Sequence, residues 1–152
     1  MASRGFEFAY MLDGSNATPL IRDFKLSAAA AHKVGDLVTV ASDGDVTQVT
    51  GTTTEVLGVM QEAFTAAQVS AGTTVGKVAI ITREQVWKCS MDATSSTAEV
   101  GASKKIDTYD CNTISATDMT NGAMILVDKS ETDDDGNVLA YVVFADATFG
   151  NE

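Results

Sequence analysis

A few stretches of this sequence hold residue types at spacings that resemble sites of chemistry. Residues 70–78, SAGTTVGKV, carry Gly72, Gly76 and Lys77 in the manner of a phosphate loop. Such a loop needs four residues between its glycines, a Ser or Thr after the Lys, and a helix beyond. Here three residues separate the glycines, Val78 follows Lys77, and the next residues read as a strand, so a turn feeding a strand is expected. Glu131-Thr132-Asp133-Asp134-Asp135-Gly136-Asn137 imitates a calcium loop, with Glu131, Asp133 and Asp135 at its first, third and fifth positions. Its twelfth position is then Val142, where a bidentate Glu is required. A solvated acidic hairpin is the expectation. His32 is the chain's one His, and a surface-loop position is expected for it. No Ser sits in a Gly-x-Ser-x-Gly elbow. Cys89 shares a strand face with Trp87 and reads as a core thiol. Asn16-Ala17-Thr18 fits a glycosylation acceptor, which matters only after secretion. No catalytic residue, cofactor site or metal ligand is assigned, no cofactor is expected, and the chain is not expected to be an enzyme. The many carboxylates would leave only an acid-based hydrolase, and abundance is no evidence for a catalytic pair.

The sharper signal is apolar. In Phe6-Glu7-Phe8-Ala9-Tyr10-Met11-Leu12, strict alternation puts Phe6, Phe8, Tyr10 and Leu12 on one face of an extended strand. Three of the chain's ten aromatic residues lie in this short segment. Two readings stand side by side. One is the first strand of the protein's own core. The other is an arm, flanked by the flexible Asp13-Gly14-Ser15-Asn16, that adds to a partner's sheet edge. On the second reading, Arg4, Phe6, Phe8, Tyr10, Met11 and Leu12 contact a capsid or a neighbouring subunit.

These residues must be positioned by strands. Val-, Ile- and Thr-rich runs at residues 20–26, 37–40, 46–50, 56–60, 75–82, 86–91, 123–128 and 138–145 are separated by Gly, Asp, Asn, Ser and Thr. That spacing predicts an all-β antiparallel sandwich or small barrel, with little helix. Ser42-Asp43-Gly44-Asp45 and Asp135-Gly136-Asn137 predict hairpin turns. Residues 86–91 alternate, with Trp87, Cys89 and Met91 opposing Val86, Lys88 and Ser90. Residues 138–144 are apolar on both faces and read as a strand buried on both sides. Gly58, inside a strand, marks a bulge or a close backbone approach. Helix is expected at most as a turn or two near residues 28–31 and 63–69. The expected division is an arm at residues 1–18 and one β domain at 19–152. Within it, residues 92–122 are polar, with Val100, Ile106, Tyr109, Ile114 and Met119 as their few anchors, and form an excursion or weak strands.

Charge narrows the function classes. Ten Lys and Arg stand against 21 Asp and Glu, for a net charge of −11 and a pI near 4.3. No basic patch is available to neutralise phosphates, so nucleic acid is not an expected partner. No run of 18 apolar residues exists, so no membrane span is expected. Glu7 and Asp13 interrupt the apolar run that a secretory signal needs, and none is expected. Two Cys then suggest reduced thiols in a cytoplasm. Their spacing allows a Cys89–Cys111 pair without specifying one. Residues 128–152 hold seven acids and one base, Lys129.

One pattern is familiar. Lys33-Val34-Gly35-Asp36-Leu37-Val38-Thr39 opens a strand, a hairpin leads to residues 46–49, and a Thr-rich link enters Glu55-Val56-Leu57-Gly58-Val59. Gly76-Lys77-Val78-Ala79-Ile80-Ile81-Thr82 and a strand carrying Trp87 follow. Over residues 18–91 this resembles the head decoration, or cement, proteins of tailed bacteriophages. The resemblance implies a β-tulip-like core and a structural role on the outer surface of a viral head, stabilising contacts between major capsid proteins. It implies binding to the major capsid protein and to copies of itself, commonly as trimers, in a virion assembled from chains made in the host cytoplasm. The alternative expectation is a secreted or surface-displayed carbohydrate-binding or adhesin module.

Overall fold

Short β-branched runs bounded by turn residues can satisfy their backbone groups only by pairing with one another, and their alternating side chains then need an apolar neighbour on at least one face. The computed structural model describes residues 5–50, 55–119 and 122–149, with residues 102–104 as backbone only. Among the described residues the strands are β1 (Glu7–Met11), β2 (Ile21–Lys25), β3 (Leu37–Val40), β4 (Val46–Gln48), β5 (Gly58–Met60) and β6 (Val75–Ile80). They continue with β7 (Gln85–Ser90), β8 (Gly101–Ile106), β9 (Thr108–Asp110), β10 (Thr113–Ile114), β11 (Met124–Thr132) and β12 (Val138–Phe144). One 3-10 turn, Ala66–Gln68, is the only helical element among them.

The strands form two five-stranded sheets and a ribbon. The first sheet has the order β1-β7-β12-β11-β8, the second β2-β6-β5-β3-β4, and β9 pairs with β10. Every strand pairing within them is antiparallel. The all-β architecture is sandwich-like, not a closed barrel: each sheet keeps two edges. Both predicted hairpins form. Ala41 N donates to Asp45 O at 2.7 Å between β3 and β4, and Asp133 N to Asn137 O at 2.9 Å between β11 and β12. Gly58 is required by close approach, since a Cβ there would lie 2.2 Å from Ala79 O on β6.

The main core lies between the sheets. Leu37, Val59 and Ala79 from the second sheet meet Trp87, Cys89, Leu126, Val142 and Phe144 from the first. Each such large side chain, fully buried, contributes about 1.5–3 kcal/mol of transfer free energy. A second cluster lies on the far face of the second sheet, where Leu26, Val38, Val46, Leu57, Met60 and Val78 pack with Val69 and with the half-buried Phe24 and Phe64. Residues 61–74 supply Phe64 and Val69 and close this layer.

Two expectations need correction. β12 is buried on one face only: Val138, Ala140, Val142 and Phe144 are buried, while Leu139, Tyr141 and Val143 are half-buried. Nothing among the described elements packs across that outer face as residues 61–74 do across the second sheet. The polar residues 92–122 are more structured than their composition suggests, because they contain edge strand β8 and the β9–β10 ribbon. Ile106 and Ile114 anchor them in the core, whereas Val100 and Tyr109 are exposed.

Candidate functional site

The N-terminal segment is the edge strand of the first sheet. Its entry is fixed by two glycines in contact. A Cβ on Gly35 would lie 3.0 Å from Gly5 Cα, and both residues have positive φ, 75° at Gly5 and 98° at Gly35. Phe6 N then donates to Gly35 O at 2.8 Å, tying the strand to the second sheet. Phe6 is 2% exposed and packs against Phe144 at a ring distance of 5.9 Å.

Four aromatic and apolar residues do not share one face, as alternation predicted. β1 pairs Phe8 with Trp87 and Tyr10 with Val86, so Ala9 is an extra residue in a β-bulge. A bulge reverses the alternation beyond it. Phe6 and Phe8 therefore point into the core, with Phe8 edge-on to Trp87 at 5.6 Å. Tyr10 points outward and meets Tyr141 of β12 at 6.4 Å. Met11 is half-buried opposite Gln85, and Leu12 is exposed. Arg4 lies outside the described residues. Of the candidate contacts, Tyr10 and Leu12 present the most surface, at 45% and 53% exposure. Residues 12–18, which link this strand to β2, are all exposed.

Two concavities flank β1. One, of about 360 Å³, lies between the open edges of the two sheets. Phe6, Phe8 and Trp87 line it from the first sheet, Ile21 and Ala79 from the second, with Val34 and Glu7 at its margin. The other, of about 310 Å³, lies on the outer face of the first sheet. Tyr10, Lys88, Asp128, Glu131 and Tyr141 line it. Tyr141 donates its hydroxyl to Glu131 Oε1 at 3.2 Å, and burial together with that carboxylate pushes the phenol's pKa up.

The remaining candidates resolve into structure. Residues 70–74 are a turn, with Gly72 N donating to Leu26 O at 2.7 Å, and Lys77 sits on β6 beside Asp23 at 3.1 Å. Asp133 of the acidic hairpin accepts Asp135 N and Asn137 N on one oxygen and the Ser90 hydroxyl, at 2.6 Å, on the other. Among the described residues no group of three or more His, Cys, Asp and Glu is placed to hold a metal ion. Cys89 and Cys111 are free thiols. Burial pushes both up, Cys111 to about 12 with help from the Asp36 carboxylate.

His32 is not a surface residue. It is 3% exposed, and its backbone pairs with Phe64 in both directions at 2.9 Å. Its Nδ1 has no partner among the described residues. Burial lowers its pKa, which the nearby Asp36 partly opposes.

Sequence reading missed Asp36, which looked like an ordinary turn residue before a strand. Its carboxylate is buried and accepts Lys33 N at 2.9 Å, Gln48 Nε2 at 2.8 Å and, more weakly, Asn112 Nδ2 at 3.4 Å. It thereby ties β3, β4 and the β9–β10 turn together. The sequence matches no protein-family model and no curated protein.

Proposed function

We propose that this protein is a structural binding protein of the capsid-decoration type, which adheres to the outside of a viral head and holds major capsid proteins together. The observation that carries this reading is the construction of the N-terminal edge. β1 pairs with β7 on one side, and among the described residues no strand pairs with its other backbone edge, which suits strand addition. Beside that edge lies the apolar cleft of Phe8, Trp87, Ile21 and Val34, and beyond it the exposed Tyr10 and Leu12. The resemblance over residues 18–91, the stretch that forms the second sheet and β7, is a second support for the reading. A decoration protein stabilises a shell by mass action, because it binds the assembled form and not the dissociated one. Contacts among many copies, with trimers favoured, would add avidity.

The test is to image the native assembly that contains this chain. Density for it on the outer surface of an icosahedral shell is expected, and its absence from any shell would overturn the reading. Replacing Tyr10 and Leu12 by Ser then tests the edge itself. Truncating residues 2–15 would be a poorer choice, because it also removes Phe6 from the core. Copies bound per shell should fall in the double variant, and unchanged occupancy would sink the role of the edge.

One observation favours a second reading, a carbohydrate-binding or adhesin module. The Tyr10–Tyr141 pair stands beside Asp128 and Glu131 in an open groove, and aromatic rings with nearby acceptors suit sugar rings. Strong hits on a glycan array would favour it.

A further inference from the structure

We propose that the outer face of the first sheet, at Tyr10 and Tyr141, receives a cationic Arg or Lys side chain from an extended segment of a partner protein. This rests on the binding role proposed above and assigns the partner's chemistry.

The surface is built in register. Glu7, Lys88, Tyr141 and Asp128 stand in one row across β1, β7, β12 and β11. The rings of Tyr10 and Tyr141 lean toward each other above β7, at 6.4 Å and an interplanar angle of 30°. Val86 of β7, opposite Tyr10 in the register, is fully buried although it points away from the inter-sheet core. The result is an aromatic wall along a groove of about 310 Å³.

Charge selects the occupant. Lys88 also lines the groove; it lies opposite Glu7 in the register but forms no ion pair among the described residues. Asp128 and Glu131 have no Lys or Arg within ion-pair distance among the described residues. The groove therefore holds two carboxylates against one ammonium, beside two aromatic rings. A cation over an aromatic face gains about 0.5–1 kcal/mol at an exposed site, and the carboxylates add attraction that salt screens. A neutral saccharide would desolvate the same carboxylates without neutralising them. The chain's net charge of −11 also draws basic segments from a distance.

The experiment is an NMR titration of the isotope-labelled full chain with an acetylated, amidated Gly-Arg-Gly-Arg-Gly peptide, read at the Tyr10 and Tyr141 ring signals. The same peptide with Glu for Arg, and maltotriose, are the comparisons. Saturable ring shifts with the Arg peptide alone are expected, weakening with added salt. The double variant Asp128→Asn, Glu131→Gln keeps its hydrogen-bond acceptors and should bind about tenfold more weakly. Unmoved rings, equal shifts with the Glu peptide, shifts with maltotriose in place of the Arg peptide, or undiminished binding by the double variant would each overturn the proposal. A chain that decorates a shell while its rings ignore the Arg peptide refutes this surface alone. A chain that binds the peptide but occupies no shell refutes the capsid reading alone.

Discussion

The two five-stranded sheets use similar residues and differ in what lies on their far faces. Behind the second sheet, residues 61–74 fold back, and Phe64 and Val69 complete a second apolar layer over Val38, Val46, Leu57 and Met60. Behind the first sheet no such segment is found among the described residues, and Leu139, Tyr141 and Val143 stay half-exposed. An apolar sheet face in a soluble setting is either covered by its own chain or available to another molecule. The second sheet is thus covered on both faces, and the first carries the surface on which the binding proposals rest.

The largest effect should come from the covered face. Leu57→Ala is expected to cost about 2–5 kcal/mol, comparable with Leu126→Ala in the main core. Urea unfolding measures both, and a cost below about 1 kcal/mol for Leu57→Ala would show that the second layer is loose. Next is the polar tie. Asp36→Ala removes the side-chain acceptor of the Lys33 amide and one of the two acceptors of Gln48 Nε2, so a loss of about 2–3 kcal/mol is expected. Retained stability would mean that water replaces the carboxylate.

A smaller effect is set by pH. Burial lowers the pKa of His32 in the folded state, so the unfolded chain binds the proton more readily. Stability contributed by the neutral imidazole is fully present above the ordinary His value of about 6.5 and is lost as pH falls below it. Urea midpoints between about pH 7.5 and about pH 5.5 should decline, and His32→Leu should flatten that slope. An identical slope in the variant would exclude His32 as its source. The smallest effect belongs to the open face. Leu139→Ala should change stability by less than about 1 kcal/mol, because the side chain is only partly buried. A loss as large as that of Leu57→Ala would mean that the outer face is covered after all, and the two sheets would no longer differ.

Much of the second sheet was legible because its turns announce themselves. Gly35-Asp36, Ser42-Asp43-Gly44-Asp45 and Gly58 mark where β3 begins, where it reverses and where β5 meets β6. β3, in particular, spans the expected residues 37–40. The first sheet was harder to read. A bulge at Ala9 leaves no mark in a pattern of alternating aromatics, yet it sends Tyr10 to the opposite side from Phe6 and Phe8. The polar strand β8 has almost no apolar periodicity, and Ile106 is its buried anchor among the residues whose side chains are described. His32 and Asp36 look like loop residues because their partners, Phe64 for His32 and Gln48 and Asn112 for Asp36, lie far along the chain and cannot be seen from local spacing.

The sequence by itself determined that this chain folds as β-sheet and where most strands lie. It also showed that the phosphate and calcium look-alikes lack a necessary position. Those are local properties of side-chain alternation, turn chemistry and motif spacing. Tertiary structure alone decided which apolar faces are covered, which way Tyr10 points and that Asp36 is a buried tie. The physical reason is that burial and register arise from pairing between distant segments, and one inserted residue in a ladder exchanges inside for outside.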